Sequence, residues 1–448
     1  MKIVLLILTW SLLSAFTFAA PKETLPNIIF IFADDLGYGD LSRFGAKDIA
    51  TPNIDQLGKQ GITFTEFYSA SSICSPSRAA LLTGRMPQRM GINGVFFPDS
   101  WLGMPPEEVT IAEVLKTKNY YTGMVGKWHL GHHHKFLPKQ QGFDEYFGIP
   151  YSNDMDGVVY MRDNDVESMQ VDQSLITQTY TQESLAFIEK NKHQPFFLYV
   201  SHNMPHTPIY ASKAFLGSSK RGLYGDVIQE LDWSVGQIVN KVEELGLLDN
   251  TLIIFSSDNG PWLAMKEFGG SAGGLREGKM YTFEGGMRVP TLAMWKGKIP
   301  AGKQYNNVVT QMDWFPTFAA ITHATLNKNI PIDGEDISNV LTSNGTRNST
   351  FVYFDNAKID GYRSGDWKLK LPYQGYAGSH WKNAVAAHDL SLFNLKSDPA
   401  ESINLASKYP KKVAKLQHEM LQQVKRLGEL PANITVRQKA DLSQVSKK

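Results

Sequence analysis

Two points in the chain place a pair of oxygen-bearing side chains just behind an apolar run. Asp34 and Asp35 follow Ile28–Ala33, and Asp258 and Asn259 follow Thr251–Phe255. Brought side by side, three carboxylates would repel one another strongly without a cation. A set of hard oxygens with one amide suits Ca²⁺ or Mg²⁺, and no thiolate-and-histidine set points to zinc. Read singly, each pair is equally a turn after a strand. A second group surrounds the one cysteine, in Ser72-Ile73-Cys74-Ser75-Pro76-Ser77-Arg78. Pro76 favours a first helical turn, Ala79–Leu82 continues it, and Gly84 stops it. Cys74 then sits at a helix N-terminus, where backbone amides favour an anion. Arg78, four residues on, shares its face. Such a position lowers a thiol pKa, so a thiolate nucleophile is one reading and a buried core cysteine another.

The elements that must position these groups are legible as short, wholly apolar runs ending in polar residues. Besides the two already named, Tyr121–Val125 leads into Gly126-Lys127-Trp128-His129, and Phe196–Val200 leads into Ser201-His202 and on to His206. Runs of this kind are strands covered on both faces. Ile228, Leu231, Val235, Ile238, Val242 and Leu245 recur at helical spacing just before Thr251. Alternating strands and helices imply an α/β fold, a large and mostly parallel sheet flanked by helices. Ligands bind at the carboxyl ends of such strands, where all the polar clusters fall. From about Arg347 the texture changes: Phe351–Phe354, Trp367–Leu371 and Leu390–Leu395 read as short strands. A terminal amphipathic helix near 409–427 follows, with Val413, Leu416, Met420, Val424 and Leu427 on one face. The expected division is a catalytic α/β domain over 22–345 and a smaller α+β unit with an antiparallel sheet over 346–448.

Composition excludes several classes. With 448 residues, 42% hydrophobic and 20% charged, the chain is neither disordered nor fibrous. Its net charge of +1 offers no global field for nucleic acid, so anions must meet local clusters of charge. One cysteine excludes an internal disulfide framework. Lys2, the apolar stretch Ile3–Leu13 and small residues up to Ala20 form a signal peptide over 1–20, too short to span a bilayer. Secretion without disulfides favours a periplasmic or exterior location and a bacterial source.

The block Cys74-Ser75-Pro76-Ser77-Arg78 with Leu82-Thr83-Gly84 resembles the signature of the type I sulfatases, of the alkaline phosphatase superfamily. Further blocks fall in that family's order: Asp34–Asp40, Thr51–Asp55, Gly126–Gly131, His206 in Pro-His-Thr-Pro, Ser257–Gly260, Lys279 before Thr282–Gly286, and Asp398–Glu401. The likeness runs from about Asn27 to Leu405 and is strongest to arylsulfatase A and N-acetylgalactosamine-6-sulfatase types. Asn119 departs from it, where the second signature opens with Gly; Asn tolerates a left-handed turn.

The resemblance implies that Cys74 is oxidised to Cα-formylglycine by a maturation enzyme. It also implies that Asp34, Asp35, Asp258 and Asn259 hold one Ca²⁺ that also contacts the residue at 74. Arg78 and the metal would stabilise the hydrate as nucleophile, while Lys127 and Lys279 neutralise the sulfuryl oxygens. His206, with Lys279, would protonate the leaving oxygen, and His129 would take the proton that expels sulfate. Ser152 matches a position that touches sulfate. Two other functions compete: a formylglycine phosphonate monoester hydrolase or phosphodiesterase, and a non-catalytic secreted glycan-binding protein. Aromatics near the blocks (Phe96, Phe97, Trp101, Tyr151, Trp262) favour a sulfated carbohydrate substrate. His132-His133-His134 reads as a wet loop, since three adjacent histidines cannot converge on one ion. Asn344, Asn348 and Asn433 open glycosylation sequons.

Overall fold

A computed structural model describes residues 24–435; the expected signal peptide lies outside the described residues. The strands are β1 (Asn27–Ala33), β2 (Ile62–Phe64), β3 (Phe67–Tyr68), β4 (Tyr121–Gly126), β5 (Glu145–Gly148), β6 (Tyr160–Arg162), β7 (Asp165–Ser168) and β8 (Phe196–Ser201). They continue with β9 (Thr251–Ser257), β10 (Thr291–Met294), β11 (Lys303–Tyr305), β12 (Val309–Thr310), β13 (Thr350–Asp355), β14 (Lys358–Ser364), β15 (Trp367–Lys370) and β16 (Ser391–Asn394). Ten of them make one sheet in the order β11-β2-β10-β9-β1-β8-β4-β5-β6-β7. Its centre, β9-β1-β8-β4-β5, is parallel, and β10 and β6 turn antiparallel on either side.

The apolar runs are continuous because both faces are covered. In β1, Ile28, Phe30 and Phe32 enter one core, whereas Ile29, Ile31 and Ala33 enter the other, as the strand's two-residue period requires. Each such fully buried Ile or Phe contributes on the order of 1.5–3 kcal/mol. The helices Ile176–Asn191 and Leu223–Glu244 cover one face through Tyr180, Ile188, Leu231 and Val235. On the other face lie the helices Cys74–Thr83 and Trp314–Ile321, through Leu81, Leu82, Trp314 and Phe318. The helix read from Ile228 onward thus begins five residues earlier, at Leu223, and Leu245 is its C-cap.

Register then fixes chemistry at one edge. Ala33 stands opposite Ser257, Phe32 opposite Ser201, and Gly126 opposite Ser201, so β1, β4, β8 and β9 end level. Asn119, before β4, adopts φ 62, the left-handed turn its side chain tolerates.

The four strands β13-β14-β15-β16 form a separate antiparallel sheet, against which the helix Pro410–Leu427 packs Val413, Leu416 and Met420. One of them, β14, is a strand the sequence reading did not include. A further core joins Tyr68 and Met312 to Phe351, Tyr353 and Leu427, so the small sheet is seated on the short β12-β3 pair and the helix Cys74–Thr83. No helix among the described residues is long and apolar enough to cross a membrane.

Candidate functional site

Because β1 and β9 run parallel in register, the residues just past their ends meet. Asp258 N–H donates to the Ala33 carbonyl at 3.2 Å, and Asp35 N–H donates to Asp258 Oδ1 at 3.0 Å. The Asn259 amide donates to Asp35 Oδ1 at 2.7 Å. Asp35 takes a left-handed φ of 62, which brings its carboxylate round beside Asp34. All four side chains are buried. Asn259 Oδ1 has no hydrogen-bond partner among the described residues. A buried, unpaired acceptor costs about 1–3 kcal/mol, a cost that a cation at this cluster of oxygens would offset.

Cys74 opens the helix Cys74–Thr83, which ends at Gly84 with φ 67. Its Sγ lies 3.4 Å from Asp34 Oδ1 and 3.9 Å from Asp35 Oδ1. Burial pushes the thiol pKa well up; Lys127 and Lys279 oppose this, and Asp34 and Asp258 reinforce it. The helix N-terminus therefore does not yield a thiolate here, contrary to that reading of the sequence. Burial and carboxylates outweigh the dipole.

Arg78, one turn along the same face, bonds Asp258 Oδ2 at 2.7 Å and lies 3.3 Å from Asp34 Oδ1. Its other amino group donates to Ser201 Oγ at 2.5 Å, a contact no motif announced. Lys127 follows β4 and donates to Asp34 Oδ2 at 2.5 Å and to Ser152 Oγ at 3.1 Å. Lys279 donates to Asp35 Oδ2 at 2.7 Å and sits 4.4 Å from the centre of the Trp262 ring. Burial alone would raise the pKa of Asp34, but Lys127, His206, Arg78 and Lys279 hold it well below the ordinary value. Burial and then Asp34 push Asp258 up to about 7. Three carboxylates thus face three cations, and a bound dication would leave the cluster net positive for an anionic ester.

The histidines differ in what their rings leave free. His129, at φ 60, bonds the Phe96 carbonyl through Nε2 at 2.9 Å, and its Nδ1 has no partner among the described residues. The carbonyl only accepts, so the proton is on Nε2 and Nδ1 carries a free lone pair. Burial, then Lys127 and Arg78, lower its pKa well below 6.5. His206 is the reverse case: Nδ1 donates to the Thr207 carbonyl at 2.6 Å, and Nε2 faces Asp35 Oδ2 at 3.6 Å. Potential ligand atoms of Asp34, Asp35, Cys74 and His206 all lie within 4.8 Å of one another. Asp258 lies outside that group, and its two oxygens accept from Asp35 N–H and Arg78.

A cavity of about 610 Å³ opens over Cys74, His129, Ser152, His206 and Lys279. Phe97 and Trp262 line it, but the Phe96 side chain is buried in the core and its carbonyl bonds His129, and Trp101 lies on the surface stacked on His133. His132 and His133 pack on each other, and His132 meets Tyr151 edge-on. Asp154, Trp381 and Lys382 also line the cavity and were not singled out from the sequence. Trp381 and Lys382 come from the loop between β15 and β16, more than a hundred residues from Trp262, whose indole N–H donates to the Trp381 carbonyl at 2.5 Å. Only the closed fold shows that contact.

The sulfatase family model matches residues 26–324, and that of the C-terminal region of N-sulphoglucosamine sulphohydrolase matches residues 277–429. Arylsulfatase A of Bos taurus is 39% identical over 94% of this chain and 91% of its own length. N-acetylgalactosamine-6-sulfatase of Homo sapiens is 35% identical over 85% of this chain and 81% of its own. A solved Bacteroides thetaiotaomicron structure, described with the metabolism of multiple glycosaminoglycans, superposes with a TM-score of 0.84. It is 31% identical and covers 90% of this chain and 100% of that one. With matches of that extent falling on the residues that build this site, the chain belongs to the type I sulfatase family and is a sulfuric ester hydrolase.

Proposed function

We propose that the enzyme removes sulfate from a sulfated carbohydrate, with Cys74 matured to formylglycine and one Ca²⁺ held by Asp34, Asp35, Asp258 and Asn259. The observation that carries this reading is the buried set of oxygens beside Cys74, with Asn259 Oδ1 unpartnered and Arg78, Lys127 and Lys279 around it. The cation supplies fixed positive charge for an anionic ester, and the formylglycine hydrate supplies an oxygen nucleophile. Lys127 and Ser152 bind and orient the sulfate oxygens. His129 Nδ1 receives a proton, and His206 Nε2 with the Lys279 ammonium stands at the leaving oxygen. Burial lowers the pKa of Lys279, but Asp35 and its other anionic neighbours raise it further, so it keeps its proton.

The aromatic faces of Phe97, Trp262 and the half-exposed Trp381 support a sugar as the leaving group. So do the names of N-acetylgalactosamine-6-sulfatase and of the glycosaminoglycan-metabolism structure among the relatives. In this reading residues 22–345 are the catalytic domain, 346–448 are a smaller unit whose Trp381 and Lys382 complete the cavity wall, and the segment 1–20 directs secretion or periplasmic export. Desulfation of sulfated oligosaccharides, followed by NMR alongside 4-nitrophenyl sulfate and phenyl phosphonate esters, tests it. Turnover of phosphonates alone would reverse it.

Two quantitative expectations follow from the same residues. Ca²⁺ at about a hundred times its Kd should raise the unfolding free energy of metal-free protein by about 2.7 kcal/mol. Calorimetry reads this, and Asn259→Ala should reduce it; no rise with Ca²⁺ would remove the proposed ligand set. The second concerns pH. A base works only while neutral, and burial, then Lys127 and Arg78, lower the pKa of His129 well below 6.5. The kcat for an aryl sulfate should therefore hold as pH falls through 6.5 and drop only on the acid side. An acid limb centred at or above that value would take His129 out of the base role.

A further inference from the structure

The blocks Thr282–Gly286 and Asp398–Glu401 have no part in the chemistry above, yet they meet each other deep in the protein. Glu284 N–H donates to Glu401 Oε2 at 2.6 Å. Between the two carboxylates stands Lys368 of β15, 3.0 Å from Glu284 Oε1 and 2.8 Å from Glu401 Oε1. Its ammonium also donates to the Thr282 carbonyl at 2.9 Å. Lys370, two residues along and so on the same strand face, donates to Thr282 Oγ1 at 2.6 Å and pairs with Asp360. Both lysines are buried. Phe283, between the two gripped residues, has Arg276 on its ring at 3.9 Å and Lys370 at 4.4 Å.

What they grip is the loop that carries Lys279. Arg276 O accepts from Gly285 N–H at 2.8 Å, which closes the loop, and Lys279 N–H donates to Pro261 O at 2.9 Å. The far end of the loop also abuts the metal-side turn: a Cβ on Gly260 would meet the Gly285 carbonyl at 1.8 Å. A loop packed this closely has no slack, so a displacement at 282–284 is transmitted to residue 279.

We infer that Lys368 and Lys370 of the small antiparallel sheet are positioning residues that fix Lys279 at the leaving-group side of the catalytic cavity. The inference rests on the assignment of Lys279 to the leaving oxygen. Charge at that oxygen matters greatly when a sugar alkoxide departs and little when 4-nitrophenolate departs, because the latter carries its own charge readily. Loss of positioning therefore has a signature that general loss of structure lacks.

The test compares kcat for a sugar sulfate and for 4-nitrophenyl sulfate in the matured, full-length enzyme. Lys368→Met/Glu401→Gln removes one positive and one negative buried charge, so the buried balance is unchanged. Thr282→Val removes only the hydroxyl held by Lys370 and Asp360 and leaves every ion pair in place. Lys279→Met is the reference. Both clamp variants should lose about 10- to 100-fold on the sugar sulfate and less than a tenth of that factor on the aryl sulfate, following Lys279→Met. Should the double variant not fold, Thr282→Val alone decides. Equal losses on both esters, or none, in clamp variants beside a selective Lys279→Met would overturn the inference alone. Equal losses in Lys279→Met itself would overturn the leaving-group assignment, and the inference with it.

Discussion

Protein whose Cys74 keeps its thiol should turn over sulfate esters at least about 10⁴-fold more slowly than protein in which that residue has become formylglycine. The reason lies in the surroundings of the sulfur. Burial, reinforced by Asp34 and Asp258, raises the thiol pKa well above its ordinary value, so at neutral pH no thiolate is available. A thiolate would in any case add negative charge beside three carboxylates, at the place where an anionic ester must dock. Lys127, Lys279 and Arg78 are held by those carboxylates whatever the state of residue 74, so the unmodified protein should still fold and bind sulfate. Mass spectrometry of the Ser72–Arg78 peptide, paired with turnover on the same preparations, checks this. Full activity with an intact thiol would refute the formylglycine assignment.

How much of this was legible follows from where the information sits. β1, β4, β8 and β9 are readable because burial on both faces leaves a continuous apolar run, and the register of those strands brings Asp34, Asp258 and Lys127 together almost automatically. The opposite holds for Trp367-Lys368-Leu369-Lys370. Alternation of this kind reads as a half-solvated strand, yet its lysine face is buried against Glu284, Glu401 and Asp360. β14 was hidden for a related reason: Lys358-Ile359-Asp360-Gly361-Tyr362-Arg363-Ser364 has glycine at its centre and polar residues on both faces. Asp360 finds buried Lys370, and Arg363 finds buried Tyr68 and half-buried Glu66, in other segments. Trp381 and Lys382 carry no local signal, since only a loop closing over Trp262 makes them part of the cavity. Nor does sequence spacing report the thiol's environment, because it is set by burial and reinforced by Asp34 and Asp258 from distant segments.

Lys127→Met should lower kcat/KM for sugar and aryl sulfates by the same factor, about 10²–10³. Lys127 meets Asp34 and Ser152 on the sulfate side, so the charge it supplies is needed whichever alcohol departs. Equal loss on the two esters is what separates it from Lys279 and the clamp behind it. Stability should fall too, because removing one partner of a buried ion pair leaves a carboxylate in low dielectric, a cost of about 3–5 kcal/mol. Arg78, 3.3 Å from the other oxygen of Asp34, keeps the loss toward the lower end of that range. The pKa of Asp34 in the folded protein lies well below 3.8, so its stabilisation is present above the unfolded value and lost as pH falls through the folded one. Without Lys127 that folded pKa rises, and the stability gap between wild type and variant should be full at neutral pH and close in strong acid. Denaturant unfolding of metal-free protein at both pH values measures the gap; one that stayed constant down to strong acid would show that Lys127 acts through packing and not through Asp34.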